Sequence, residues 1–235
     1  MIVLILAGGL GTRISEETSD KPKPMVLIDD KPILWHIMKI FSIQGFNKFI
    51  IATGYRGEII SEYVDTLFAP DWQIQTLDTG LSTQTGGRIK QAFQYAGQKN
   101  LLVTYGDGLA NVSIPELMKV HARGNGVATV TAVRPPARFG HLKIENEKVH
   151  YFGEKTQLDE GWINGGFFYL NEKVMEFIEN DNEPFESGAL TRITSKGLLN
   201  AYQHTGYFFP MDTLREKTEL SKLARLVPPL WFELP

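Results

Sequence analysis

The chain opens MIVLILAGGLGTRISEETSDKPKPM, and no other stretch of its 235 residues limits its folding as tightly. The apolar run Ile2–Leu6 does not alternate with polar residues, which suits a strand buried on both faces of a parallel sheet. The run stops at Ala7, and Gly8, Gly9 and Gly11 follow within four positions, then Thr12 and Arg13. Glycines directly after a buried strand let the backbone turn sharply and bring bare N–H groups close to a ligand. Arg13 and Lys23 add positive charge. Strand, free backbone donors and cations together describe a place that holds phosphates.

Two common phosphate motifs do not account for the segment. The dinucleotide fingerprint G-x-G-x-x-G can start at Gly9 and Gly11, but its third glycine would fall on Ile14. The Walker A loop needs Gly-Lys followed by Ser or Thr, and the chain contains no Gly-Lys pair. A glycine-rich turn without a ligand is the remaining bland alternative.

The rest of the first half alternates short apolar runs with helix-period segments. Strands are expected at Ile2–Leu6, Phe49–Ala52, Gln73–Leu77, Leu101–Thr104 and Val127–Val133. Helices are expected at Pro32–Gln44, Gly57–Leu67, Gly87–Tyr95 and Ser113–His121. Such alternation predicts an α/β fold, Rossmann-like, with a mixed, mainly parallel sheet covered by helices on both faces. From Phe139 to Leu170 the pattern turns strand-rich, with a hairpin at Glu145–Lys148. Helices near Glu172–Glu179 and Phe185–Ser195, a strand pair near Ala201–Phe209 and a helix at Thr213–Leu226 complete the reading. Neither a linker nor a repeat divides the sequence, so residues 1–235 read as one domain. The apolar tail PPLWFELP either docks on its own domain or contacts a second subunit of a homo-oligomer.

Composition narrows the partners. A formal net charge of −3 is unlike the basic balance of a nucleic-acid binder. With no cysteine there is no disulfide, zinc-thiolate site or thiol nucleophile. No apolar stretch is long enough for a membrane span, and the first apolar run is too short for a signal peptide. A cytoplasmic location is therefore expected. His36, His121, His141, His150 and His204 lack metal-ligand spacing.

AGGLGTR, followed by KPKPM, resembles the signature of the sugar-1-phosphate nucleotidyltransferases. KPILWHIM (31–38), DTG (78–80), TGGR (85–88), TYGDG (104–108), RFG (138–140), INGGFF (163–168) and PMDTLR (210–215) extend the likeness in order along nearly the whole chain. Their wording is most similar to the glucose-1-phosphate cytidylyltransferase branch. The resemblance implies transfer of a cytidylyl group from CTP to a sugar 1-phosphate, with glucose 1-phosphate favoured, and release of pyrophosphate. The same chemistry with dTTP, UTP or GTP, or with another phosphorylated sugar, is the nearest alternative. A silent nucleotide-sugar sensor is a third reading. Between Tyr63 and Leu77 the chain is shorter than that branch, whose insertion there lies near the nucleotide and neighbouring subunits. The oligomeric state stays open on that account.

The resemblance also assigns residues. Arg13 and Lys23 become the catalytic cations on the phosphates. Leu6, Ala7, Gly8, Gly9, Leu10, Gly11, Thr12, Thr83, Gly87, Arg88 and Asp107 fall at nucleotide-binding positions. Glu154, Lys155, Asn164 and Gly165 fall where the sugar phosphate is met, although Thr156 replaces the proline expected there. Asp107 and Asp212 match the Mg²⁺ ligands, in keeping with a cation that takes one or two carboxylates plus phosphate oxygens. Local physics offers competing roles. Asp107-Gly108 is a hairpin signal, though LANVSIPEL after it does not alternate as a returning strand would. Asp212 precedes a helical run and would make a good N-cap. Gly86–Arg88 also reads as a helix start, and Asn164–Gly166 as a tight hairpin turn.

Overall fold

A computed structural model describes residues 1–135, 140–145, 147–154 and 161–234, with backbone alone at 140–144 and 151–154. In chain order the elements are β1 (Ile2–Leu6), α1 (Ser15–Thr18), β2 (Leu27–Ile28), β3 (Lys31–Pro32), α2 (Ile33–Ser42), β4 (Lys48–Thr53) and α3 (Gly57–Thr66). Then come β5 (Gln73–Asp78), α4 (Thr85–Ala96), β6 (Asn100–Tyr105), β7 (Gly108–Ala110), α5 (Ile114–Arg123), β8 (Ala128–Val133), β9 (Gly140–Glu145) and β10 (Lys148–Glu154). The last are β11 (Ile163–Asn171), α6 (Ala189–Ser195), β12 (Leu199–Gln203), β13 (Phe208–Pro210) and α7 (Leu214–Leu223).

Seven strands form one sheet in the order β12-β8-β11-β6-β1-β4-β5. Strand β1 pairs in parallel with β4 and β6, β4 with β5, and β12 with β8, while β11 runs antiparallel between β6 and β8. The lack of alternation in β1 has its expected cause. Val3 and Ile5 belong to the apolar cluster on one face, and Leu4 and Leu6 to the cluster on the other. The first face is covered by α2, α3, α5 and α7 through residues such as Ile37, Phe41, Ile60, Leu117 and Leu220. The second is covered by α4 and α6 through Ile89, Phe93 and Ile193.

Two expectations change. The strands near 201–209 do not pair with each other: β12 extends the main sheet beside β8, whereas β13 pairs antiparallel with β7. Alternation marks a strand but not its partner, so the sequence could not separate them. The segment after Asp107 is likewise a short strand, but it turns away to meet β13 rather than returning along β6. The β9–β10 hairpin forms as expected. The tail folds back on its own chain, with Trp231 fully buried and in ring contact with His36 and Tyr207.

Candidate active site

The C-terminal ends of β1 and β6 open into one cleft of about 1140 Å³, large for a single small ligand. Its floor is the loop after β1. Gly11 has φ 65°, the left-handed region that glycine enters without strain, and it starts a 3-10 turn over Thr12–Ile14. Among the described residues, the N–H groups of Gly9, Leu10 and Gly11 donate to no backbone or side-chain acceptor. They are open donors at the surface of the cleft.

Gly8 meets a different requirement. A Cβ there would collide with the Arg88 guanidinium, which lies directly behind the loop. Arg88 is 4% exposed. It donates to Gly8 O at 3.1 Å, to Thr53 O at 2.6 Å and to the Thr79 hydroxyl. Burial lowers its pKa. The guanidinium therefore braces the glycine loop from behind, through the carbonyl of Gly8. Thr83 also lines the cleft, but its hydroxyl donates to Thr79 O at 2.5 Å. Gly87 is not brought to the cleft. It sits in the first turn of α4, where the helical rotation turns it onto the backbone of Asp181.

The charged groups converge at the edge of this loop. Lys23, in a 3-10 turn after Pro22, is buried, and its Nζ lies 2.8 Å from Asp107 Oδ2 and 2.8 Å from Asp212 Oδ1. Arg13 reaches Asp212 Oδ2 at 3.3 Å. The β7–β13 ladder is what joins the acids. It pairs Gly108 with Pro210, and Met211 N donates to Asp107 O at 2.8 Å, so Asp107 and Asp212 flank one end of it. Burial opposes the Lys23 ammonium, but Asp107 and Asp212 outweigh it and hold its pKa above the ordinary lysine value. Burial likewise pushes the Asp212 carboxyl up. Lys23, with help from Arg13, outweighs it and holds that carboxyl below its usual value.

The N-cap alternative for Asp212 fails on geometry. Thr213 caps α7, accepting from Glu216 N, and the Glu216 carboxylate accepts from the N–H of both Asp212 and Thr213. The Asp212 side chain is free to face Lys23. Two carboxylates that share one ammonium at 2.8 Å are also within reach of one divalent cation, so this pair fits a Mg²⁺-type site completed by phosphate oxygens.

Another part of the cleft lining is polar but carries a different chemistry. Asn164 Nδ2 donates to Tyr105 Oη at 3.0 Å, and Tyr105 Oη donates to Glu186 Oε1 at 2.5 Å. Thr85 Oγ1 donates to Glu186 Oε2 at 2.7 Å. Burial, and then the Glu186 carboxylate, raise the pKa of Tyr105. Asn164 and Gly165 line the cleft from within β11, where the register against β8 shifts between Asn164 and Phe168. The segment is a bulge in a strand and not a hairpin turn. The Glu154 side chain and Lys155 lie outside the described residues. Glu186 gave no signal in the sequence. Thr85 stood inside TGGR and Tyr105 inside TYGDG, but they were overshadowed by Arg88 and Asp107.

Residues 2–216 match the NTP_transferase family, described as Nucleotidyl transferase. Glucose-1-phosphate cytidylyltransferase of Salmonella typhi is 43% identical over 245 residues, covering 95% of each chain. D-glycero-alpha-D-manno-heptose 1-phosphate guanylyltransferase of Aneurinibacillus thermoaerophilus is 33% identical over 75% of this chain and 77% of its own. Among solved structures, HddC from Yersinia pseudotuberculosis complexed with GMP-PN superposes with a TM-score of 0.73 at 27% identity, covering 94% of this chain and 98% of that one.

Proposed function

The chain belongs to the nucleotidyl transferase family, and on that footing we propose that it transfers the cytidylyl group of CTP to glucose 1-phosphate. The products are a CDP-sugar and pyrophosphate. The observation that carries this reading is the Lys23–Asp107–Asp212 cluster beside the open N–H groups of the glycine loop.

The acceptor oxygen needs no general base, because a sugar phosphate is largely dianionic near neutral pH, with a second pKa of about 6. That oxygen forms a bond to the α-phosphorus of CTP while the bond from the α-phosphorus to the bridging oxygen of pyrophosphate breaks. The protein's task is to bring two polyanions together in line and to stabilise the charge that develops. The glycine-loop N–H groups and Arg13 bind the triphosphate. Lys23 moves from the carboxylates to the phosphates. Asp107 and Asp212 would hold Mg²⁺, which supplies charge neutralisation at the reacting phosphates. Arg13 and Lys23 balance Asp107 and Asp212 in formal charge, so the incoming phosphates need added positive charge. This supports a divalent-cation requirement. A cytoplasmic location suits an enzyme that draws on nucleoside triphosphates.

The preference for CTP rests on the 43% identical relative. Cytosine presents an amino donor where uracil and thymine present a carbonyl. A site offering an acceptor there disfavours the wrong base by roughly 1–3 kcal/mol, about five- to 150-fold. The test is pyrophosphate release by the purified chain with Mg²⁺, glucose 1-phosphate and each of CTP, UTP, dTTP and GTP at equal concentration. Faster turnover with CTP is expected. Equal or faster turnover with another nucleotide would remove the cytidylyl assignment, and GTP is the competitor that the guanylyltransferase relative suggests.

A further inference from the structure

The cleft is chemically lopsided. Asp107 and Asp212 are each bonded by a cation, whereas Glu186 has no cation partner among the described residues. Its carboxylate is half-buried at the cleft wall and accepts one hydroxyl hydrogen on each oxygen, from Tyr105 and from Thr85. A carboxylate can accept about four hydrogen bonds, so roughly two acceptor positions remain. Thr85 is itself anchored, because its hydroxyl oxygen accepts from Phe185 N at 2.8 Å. On the other side, Tyr105 Oη accepts from Asn164, whose Oδ1 accepts from Gly166 N at 2.8 Å. The carboxylate is therefore fixed in place by hydroxyls and leaves the net negative charge uncompensated toward the ligand space.

We infer that Glu186 is a specificity-determining residue for the sugar, accepting hydrogen bonds from its hydroxyls and rejecting sugars that carry a second negative charge. The inference rests on a sugar 1-phosphate being the acceptor substrate. A polyphosphate is repelled by an uncompensated carboxylate and belongs with Arg13, Lys23 and the loop N–H groups. A neutral polyhydroxyl ring brings donors that match the free lone pairs. An amino sugar matches them as well. A uronic acid does not, since it sets carboxylate against carboxylate. The chain Asn164–Tyr105–Glu186 joins this acceptor to Asn164, the residue that the family resemblance assigns to the sugar.

The experiment compares wild type and Glu186→Gln with glucose 1-phosphate and glucuronic acid 1-phosphate, at saturating CTP, and then varies CTP at saturating glucose 1-phosphate. Glutamine keeps the shape but loses the charge and one acceptor group. Glu186→Gln is expected to raise the KM for glucose 1-phosphate about tenfold or more and leave the KM for CTP within about twofold. The kcat/KM ratio of glucuronic acid 1-phosphate to glucose 1-phosphate should rise about tenfold. An unchanged sugar KM, an unchanged ratio, or a rise confined to the CTP KM would overturn the assignment. The last result would move Glu186 to the nucleotide. If Glu186→Gln does not fold by circular dichroism, Glu186→Asp repeats the KM comparison, with the charge withdrawn by one methylene and the same split expected. Failure of every sugar 1-phosphate to release pyrophosphate would sink the nucleotidyltransferase reading. Turnover that is indifferent to Glu186 sinks only this inference.

Discussion

Lys23 occupies the position between two carboxylates that a divalent cation would share, so its removal should strengthen metal binding to the nucleotide-free protein. The perturbation is Lys23→Met, which keeps an apolar stem of similar length and deletes the ammonium. The ammonium makes two charge-assisted hydrogen bonds, each 2.8 Å long, to side chains that are 37% and 24% exposed. A fully exposed pair contributes about 0.2–1 kcal/mol and a hydrogen bond to a charged group about 1.5–3 kcal/mol. The partial exposure here argues for the lower part of that span for each contact. A metal ion entering the wild-type cluster must displace both contacts, and Lys23 keeps some compensation by moving to water. A net gain of about 1–3 kcal/mol is therefore expected on deleting it, equivalent to a Kd lower by about five- to 150-fold. Mn²⁺ titration followed by electron paramagnetic resonance, on protein without nucleotide, reads this directly. The gain should vanish when CTP is present, because Lys23 then faces phosphate and no longer competes. Unchanged or weaker Mn²⁺ binding by Lys23→Met without nucleotide would refute the reasoning, since the carboxylates would not be the metal's ligands. Turnover should fall in the same variant, so affinity and rate are expected to move in opposite directions.

Three further outcomes separate the roles of neighbouring groups. Asp107→Asn and Asp212→Asn should each lower turnover about a hundredfold or more by weakening metal binding, while Thr213→Ala should lower stability by about 1 kcal/mol and leave turnover near normal. Steady-state kinetics and urea denaturation on the three variants check this. Arg88→Met should raise the KM for CTP about tenfold, because the bonds that fix the Gly8 carbonyl are lost. Amide exchange at Gly9–Gly11 should quicken in parallel, and an unchanged KM would limit Arg88 to the core. Burial lowers the pKa of His36, His121 and His204 in the folded chain. Below the ordinary value of about 6.5 the unfolded chain then binds protons that the folded chain refuses, so stability falls with falling pH, by up to about 1.4 kcal/mol per unit for each histidine. Urea midpoints at pH 7.5, 6.5 and 5.5 should drop in that order, and a flat profile would refute the histidine assignment.

The order of strands and helices was legible because burial on two faces leaves a plain mark. Strand β1 and helix α2 were each visible from hydrophobic pattern alone, and Gly45 just beyond α2 has φ 87°, as a C-terminal glycine should. Partner choice was not legible. Phe208–Pro210 and Leu199–Gln203 carry similar apolar content, yet one strand joins a two-stranded ladder and the other the edge of the main sheet. That distinction decides the site, since the small ladder is what sets Asp212 beside Asp107. Asp212 also shows why a local rule misleads. An acid before a helix is a reasonable cap, but Thr213 stands one position nearer and Glu216 three beyond it completes the reciprocal pair. The cap was already satisfied, and the aspartate was left over for other work.

Arg88 marks the limit of reading a site from composition. In TGGR it reads as a nucleotide-binding position and as a helix start. The fold buries it beneath the glycine loop, at the wall of the cleft. Three oxygen acceptors, Gly8 O, Thr53 O and Thr79 Oγ1, replace the water it loses. No carboxylate bonds it among the described residues, and the through-space attraction of Asp78 is outweighed by the cost of burial. A buried cation without a bonded counter-ion opposes folding. It becomes favourable once negative charge arrives nearby, and the open N–H groups of Gly9, Leu10 and Gly11 are where a phosphate would arrive. The same guanidinium excludes any side chain at Gly8 and orients that residue's carbonyl. The requirement for glycine at position 8 and the cation at position 88 are thus one feature, separated by 80 residues in the chain. Neither can be understood from its own neighbourhood in the sequence.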